Sequence, residues 1–302
     1  MTRSETLVIV NPVAGQGSAR RIQPAIAGYL TARDRRADFV ASSSTESFRQ
    51  LAFQAVTQGY RYVVALGGDG AFHHLVEATL GAEVILGFFP AGSGNDIAEG
   101  LGLPKDPLAA AELFLRLQPR PIDVVRAHFG SGDAIFIGAG GLGLDAEAAE
   151  LANTRFRRWP GFTRYLAGAL WAWRKFSAID LYAEIDGQRL QRRVLFAAAA
   201  NAPCYGSGIR IAPDAKMDDG WLEITLVQDM PLLKLLEAIP IVLRSGDIRW
   251  PEVERFRCRR ASFLTDRVAL VHGDGEPLGQ APVEFEILPG AVQVMAPARA
   301  GV

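Results

Sequence analysis

Three short stretches set glycine beside Asn, Asp or Ser: Asn11-Pro12-Val13-Ala14-Gly15-Gln16-Gly17, Gly67-Gly68-Asp69-Gly70 and Gly92-Ser93-Gly94-Asn95-Asp96. Loops without side-chain bulk let backbone N–H groups approach an anion, and a helix opening behind them adds the attraction of its positive end. Any one alone reads as an ordinary tight turn. Three in series, two containing Asp, point to a site for nucleotide phosphates. None carries the lysine of the GxxxxGK[ST] loop. A fourth stretch, Gly138-Ala139-Gly140-Gly141-Leu142-Gly143, spells GxGxxG. A dinucleotide fold also needs an acidic residue about twenty positions on, ending a second strand. That region here is Phe162-Thr163-Arg164-Tyr165-Leu166, with no carboxylate and no strand pattern, so the dinucleotide reading is set aside.

The elements around these loops alternate. Leu7-Val8-Ile9-Val10, Tyr62-Val63-Val64-Ala65-Leu66 and Val84 to Phe89 are unbroken apolar runs. Between them, helical patterns run from Arg20 to Arg33, with Ile22, Ile26 and Leu30 at spacing four, and over Phe48 to Gln58 and Phe72 to Leu80. Unbroken apolar strands alternating with helices indicate a parallel sheet covered on both faces, whose ligands sit at the strand C-termini. The glycine loops fall there. From about Val124 the pattern becomes β-rich, with turns at Asp186-Gly187 and Asp219-Gly220. The expected organisation is an α/β domain over 1–124 and a β-rich domain over 125–302, whose C-terminal tail is free to pack back on the first domain.

The 302 residues are 49% hydrophobic and 22% charged, the composition of a globular protein. With 32 Lys plus Arg against 33 Asp plus Glu there is no basic footprint, so no nucleic-acid partner is expected. The two cysteines, Cys204 and Cys258, are far apart with no His pair nearby, which argues against a disulfide scaffold or a structural zinc. Met1 to Thr6 leads straight into a strand, unlike a signal peptide, and no apolar run is long enough to span a bilayer. A cytoplasmic protein, at most peripheral to the membrane's inner face, is expected. No feature sets the oligomeric state, and a dimer is open.

Gly67-Gly68-Asp69-Gly70 with Pro90-Ala91-Gly92-Ser93-Gly94-Asn95-Asp96 closely resembles the diacylglycerol kinase catalytic family, which includes bacterial lipid kinases and sphingosine kinases. Asn11-Pro12 with Gly15 resembles the family's NPxxG, and Ile122-Asp123-Val124 its domain-junction aspartate. Tyr205-Gly206-Ser207-Gly208, Ala212-Pro213-Asp214-Ala215 and Asp218-Asp219-Gly220-Trp221-Leu222 resemble its YGGG, AP.A and DDG.L blocks, and Asp274-Gly275-Glu276 its DGE. The resemblance implies ATP-dependent phosphorylation of a lipid hydroxyl, with ATP between the two domains. It places Asn11, Pro12, Val13, Ala14, Gly15, Ser42, Gly68, Asp69, Gly70, Ala71, Ser93, Asn95 and Asp96 at the nucleotide. It makes Asp274 the general base, with Glu276 and Asp69 beside it in catalysis. It assigns a structural Mg²⁺ to Asp219 and the carbonyls of Lys216 and Trp221, and ties Asp69, Asp96 and Asp123 into a polar network with the metals. Phosphoryl transfer needs charge neutralisation, in-line positioning and one carboxylate for the hydroxyl proton, which agrees. Read locally, Asp274-Gly275 and Asp219-Gly220 are also plain turns. The alternatives are a soluble-substrate kinase like the NAD kinases and a nucleotide-binding regulator with weak turnover.

The chain departs from the family pattern at Ala71, where Thr or Ser is usual, at Ser93 for Thr, at Ser207 for Gly and at Gln16, a position often basic. A hydrogen bond to phosphate lost at Ala71 is worth about 1.5–3 kcal/mol, enough to slow an enzyme. Arg20 and Arg21 are candidates for phosphate contact or for a solvated helix face. On the lipid side, Arg155 to Phe176 holds six basic residues, no acidic one and Trp159, Trp171 and Trp173. That composition suits contact with an anionic bilayer; the competing reading is a core of Leu166, Leu170 and Trp171 with an arginine rim. Leu232 to Leu243 reads as a buried helix in preference to the wall of an acyl-chain cleft. Arg255 to Arg260 alternates like a half-exposed strand.

Overall fold

The computed structural model describes residues 4–159 and 161–298. The first three residues of the start, Pro160 of the basic stretch and the last four residues of the tail lie outside them. Two compact units emerge, one of Met1–Ile122 with Gly290–Val302, the other of Asp123–Pro289.

In chain order the first unit contains β1 (Thr6–Val10), α1 (Ala14–Thr31), β2 (Ala37–Ala41), α2 (Thr45–Thr57), β3 (Tyr62–Gly67), α3 (Asp69–Thr79), β4 (Ile85–Pro90), α4 (Asp96–Leu101) and α5 (Pro107–Phe114). β1 pairs in parallel with β2 and β3, and β3 with β4 in the register Tyr62↔Ile85 to Gly67↔Pro90. The apolar runs explain this: Val8, Val10, Val64, Leu66 and Phe89 pack against Ile26 and Leu30 of α1 and Phe114 of α5. Each such side chain contributes about 1.5–3 kcal/mol on burial. On the sheet's other side Phe72 of α3 stacks on Phe88 at 4.8 Å.

The chain enters the second unit within β5 (Gln118–Phe129). There follow β6 (Gly132–Phe136), β7 (Ala139–Gly143), α6 (Leu144–Asn153), α7 (Gly161–Trp173), β8 (Ile179–Ile185), β9 (Gln188–Ala200), β10 (Leu222–Gln228), α8 (Leu232–Arg244), β11 (Val253–Cys258), β12 (Arg260–Thr265), β13 (Leu270–Gly273), β14 (Glu276–Gln280) and β15 (Val283–Ala296). Pairing here is antiparallel, with β9 joined to β7, β8 and β10. Inward Leu181, Val194, Leu226, Phe263 and Phe285 form the core. β15 returns the chain to the first unit, where Gln293 and Val294 pair in parallel with Ile85 and Leu86 of β4.

One sequence reading stands and one changes. The GxGxxG stretch is not a phosphate turn, because Ala139–Gly143 is a strand in full ladder register with β9. Its glycines are needed for close packing: a Cβ on Gly140 or Gly141 would lie 2.4 Å from the carbonyl oxygen of His272 or Ala197. α8 is not a buried helix either. Only Ala238 is buried, and Leu233 is 70% exposed. An apolar run spread around 3.6-residue turns can be half wet, and composition alone hid that.

Candidate active site

The three glycine loops leave the C-terminal ends of β1, β3 and β4, which are neighbours in one parallel sheet, and backbone contacts stitch them together. Asn11 N–H donates to the Leu66 carbonyl at 2.9 Å, and Ala91 N–H to the Gly67 carbonyl at 2.6 Å. Gly68 and Gly92 face each other so closely that a Cβ on Gly92 would fall 2.6 Å from the Gly68 Cα. Gly15 meets the Ala91 carbonyl in the same way, at 2.1 Å for a built Cβ, and the Ser18 hydroxyl donates to that carbonyl at 3.0 Å. Gly15, Gln16 and Gly17 all have positive φ, which interrupts the first turn of α1. At Gly15 and Gly92 the backbone of a neighbouring loop excludes any side chain larger than hydrogen, which explains these two glycines without reference to any ligand.

Side chains then lock the loops. Asp69 accepts from Asp96 N–H at 3.1 Å and Ile97 N–H at 3.0 Å, capping the start of α4. Asn95, left-handed at φ 57°, folds its amide onto Gly92, accepting from its N–H at 2.9 Å and donating to its carbonyl at 3.2 Å. Asn11 Oδ1 accepts from Val13 N–H at 3.3 Å. Ser42 is buried at the end of β2, its hydroxyl donating to the Val10 carbonyl at 3.2 Å. Ser93 and Val13 are exposed, Ala71 is buried, and Pro12, Ala14 and Gly70 are half-buried. Arg21 donates to the Gln16 carbonyl at 3.2 Å, and Arg20 is exposed.

The second unit holds the other predicted residues in two turns. Asp123, 2% exposed, accepts from Gly220 N–H at 2.7 Å, while its own N–H donates to the Met217 carbonyl at 2.7 Å. Asp219 accepts from Trp221 N–H at 3.2 Å and pairs with Arg257 at 2.7 Å. Arg257 and Arg259 both lie over the Trp221 ring at 5.0 Å. Lys216 is exposed, so its side chain leaves the turn to backbone and Asp219. Carboxylate and carbonyl oxygens suit a hard cation in donor type. Each Asp219 oxygen carries one hydrogen bond and keeps a further lone pair, so the residues fit such an ion. Burial, with Asp219 and Asp214 nearby, raises the pKa of Glu223.

Asp274 and Gly275 have φ of 52° and 84° and join β13 to β14, as a two-residue hairpin demands. The turn also orients the carboxylate: Oδ1 accepts from Gly138 N–H at 2.7 Å and Oδ2 from Ile137 N–H at 2.8 Å. The reading of Asp274-Gly275 as a turn therefore holds. Glu276 is exposed. Asn153, at the end of α6, donates to the Gly275 carbonyl at 2.6 Å. Two residues before Asp274, buried His272 lies 3.2 Å from Asp145 and stacks on Tyr205 at 6.0 Å between centroids. Burial, then the charge and hydrogen bond of Asp145, pushes the Tyr205 hydroxyl well above its usual pKa. Asp145, His272 and Arg257 escaped sequence reasoning because each partner lies far away in the chain.

In the basic stretch, Trp159, Leu170 and Trp171 are 53%, 40% and 46% exposed, so the core reading of Leu170 and Trp171 fails. Arg155 stacks over Trp171 at 4.1 Å. Gly168 lets α7 approach α6, since a Cβ there would lie 2.5 Å from the Ala148 carbonyl.

Comparison with known proteins agrees with this architecture. Residues 5–127 match the family model of the diacylglycerol kinase catalytic domain, and residues 138–296 that of the YegS C-terminal NAD kinase beta sandwich-like domain. The chain is 29% identical over 293 residues to a protein named diacylglycerol kinase from Mycobacterium tuberculosis (strain ATCC 25618 / H37Rv), covering 96% of this chain and 94% of that one. It is 32% identical over 258 residues to "Probable lipid kinase YegS-like" from Chromohalobacter salexigens, covering 82% and 80%. The crystal structure of a diacylglycerol kinase from Bacillus anthracis str. Sterne superposes with a TM-score of 0.76 over 100% of both chains, at 20% identity, which speaks to the fold alone. With a catalytic-domain match on the glycine loops and a β-sandwich match on the second unit, the chain belongs to the family of diacylglycerol kinases and YegS-like lipid kinases.

Proposed function

We propose that this kinase transfers the γ-phosphoryl group of ATP to a hydroxyl of a diacylglycerol-like lipid. The observation that carries the reading is the stitching of three glycine loops at adjacent strand ends, with Asp69 and Asn95 holding them in shape. A preorganised backbone surface costs no rearrangement when a triphosphate arrives, which is what phosphoryl transfer asks of a protein. In this reading Asn11 to Gly15, Gly68 to Ala71 and Ser93 to Asp96 contact the nucleotide, and Ser42 supports the end of β2 beneath them. Mg²⁺ supplies charge neutralisation when bound, and the Asp219 turn with the Lys216 and Trp221 carbonyls would hold a structural ion. Asp274 takes the proton of the acceptor hydroxyl, with Glu276 beside it. Hydrogen bonds from the Ile137 and Gly138 N–H groups aim the carboxylate.

The exposed Trp159, Leu170 and Trp171 among Arg155, Arg157, Arg158, Arg174 and Lys175 support a peripheral contact with an anionic bilayer. The deciding experiment incubates labelled ATP with diacylglycerol in mixed micelles, with NAD as a soluble acceptor in parallel. Lipid-bound label made by the wild type and lost in Asp274→Asn is expected. ATP binding with no transfer to a broad lipid panel overturns the reading, and label on NAD alone favours the soluble-substrate alternative.

A further inference from the structure

We propose that His73, His74 and Glu77 of α3 form a binding site for a divalent transition-metal cation of the zinc class. Only four histidines occur in the chain, and two of them are neighbours on this helix. Besides them α3 buries Ala71, Phe72, Leu75, Val76 and Thr79, whose hydroxyl donates to the Leu75 carbonyl at 2.7 Å. His73 and His74 are 3% and 8% exposed, so two imidazoles sit in a setting that rewards no polar group without a partner. Their rings meet edge to face, 5.2 Å between centroids at 86°. Donor atoms of His73, His74 and Glu77 all lie within 4.8 Å of one another. Tetrahedral ligands about 2.0–2.1 Å from zinc stand roughly 3.3 Å apart, so side-chain rotation of an ångström or so closes the set.

Two further observations point to a cation. Buried His74 Nδ1 has no partner at good hydrogen-bond geometry among the described residues and lies 3.5 Å from Glu77 Oε2. That spacing is close to the distance between two ligand atoms that share one tetrahedral ion. The third ligand is also held in place: Arg49 of α2 donates to Glu77 Oε2 at 2.7 Å, as partners behind ligating carboxylates do. The Glu77 side chain is 41% exposed, which provides a way in and room for water as the fourth ligand. Two imidazoles and one carboxylate favour zinc or cobalt over magnesium or calcium. The site is therefore distinct in chemistry from the oxygen-rich Asp219 turn and does not rest on the kinase reading.

The test titrates Co²⁺ into untagged, chelator-treated full-length protein in excess Mg²⁺, reading visible d–d absorption and, with Zn²⁺, the melting temperature. One Co²⁺ per chain with a tetrahedral-type band is expected, together with a Zn²⁺-dependent rise in melting temperature. His73→Asn, His74→Asn and Glu77→Gln should each weaken binding by at least about tenfold. Circular dichroism checks the fold, and the half-exposed Glu77→Gln decides if a histidine variant fails to fold. Absence of the band, or unchanged affinity in Glu77→Gln and in a folded His74→Asn, overturns the proposal.

Discussion

Asp274 shows how one residue serves two requirements. Its left-handed backbone makes the β13–β14 hairpin, and the same turn fastens its carboxylate to the amides of Ile137 and Gly138. Asp274→Asn keeps a residue that tolerates positive φ, so the variant is expected to fold and bind ATP while phosphoryl transfer falls about 10²–10⁴-fold. Steady-state transfer alongside nucleotide binding checks this. Cysteine chemistry is separable. Burial, then Asp186 and Glu223, pushes the Cys258 thiol up to about 12, and Cys204 is 1% exposed. Neither thiol is expected to react with iodoacetamide in native protein at mildly alkaline pH, whereas both react after denaturation, as mass spectrometry reads directly. Asp274 stood out in the sequence through its motif. Arg257, which pairs with Asp219 across 38 residues, had no local signature beyond an alternating strand.

At the scale of elements, the loops after β1, β3 and β4 act as one object because each fills space the others leave. Gly92→Ala places a methyl group 2.6 Å from the Gly68 Cα, where only backbone could yield. The expected result is weakened ATP binding with the second unit's core unaffected, seen as a raised KM or dissociation constant for ATP. The basic stretch that flanks α7 carries a different expectation. Exposed Arg157, Arg158 and Lys175 each add about 1 kcal/mol near an anionic surface, so neutralising all three should weaken vesicle binding roughly a hundredfold. Activity on a soluble short-chain substrate should change little, and equal loss in both assays would count against a membrane role. The helical periodicity of α7 and α8 was legible, but which face meets solvent was not. Leu170 and Leu233 differ from buried leucines only in what folds against them.

For the whole molecule, the formal charge of −1 averages over opposed regions. Six basic residues without an acidic one lie between Arg155 and Phe176. Binding to anionic vesicles should accordingly fall steeply with added salt, since exposed charges are screened within a Debye length of about 8–10 Å. The C-terminal strand has a structural consequence as well. Val294, Met295 and Ala296 are buried, and Gln293 and Val294 pair with β4. A chain ending at Pro289 leaves β4 with an unpaired edge and opens the first unit's core at Met295. It should show a clearly lowered melting temperature and loss of nucleotide binding.

Sequence by itself determined the alternation of apolar runs and helices in the first half, hence a parallel sheet, because buried strands and amphipathic helices leave periodic signatures. It determined the motif order that marks the kinase family, and the loops where glycine is obligatory. Tertiary structure alone decided why those glycines are obligatory, since the colliding atoms belong to other loops: Ala91 for Gly15, Gly68 for Gly92. It alone decided that the GxGxxG stretch is a strand, that α8 is half wet, and that Arg49 of α2 stands behind Glu77 of α3. Local patterns record what a residue does to its own backbone. Partners brought together from distant parts of the chain leave no mark until the chain has folded.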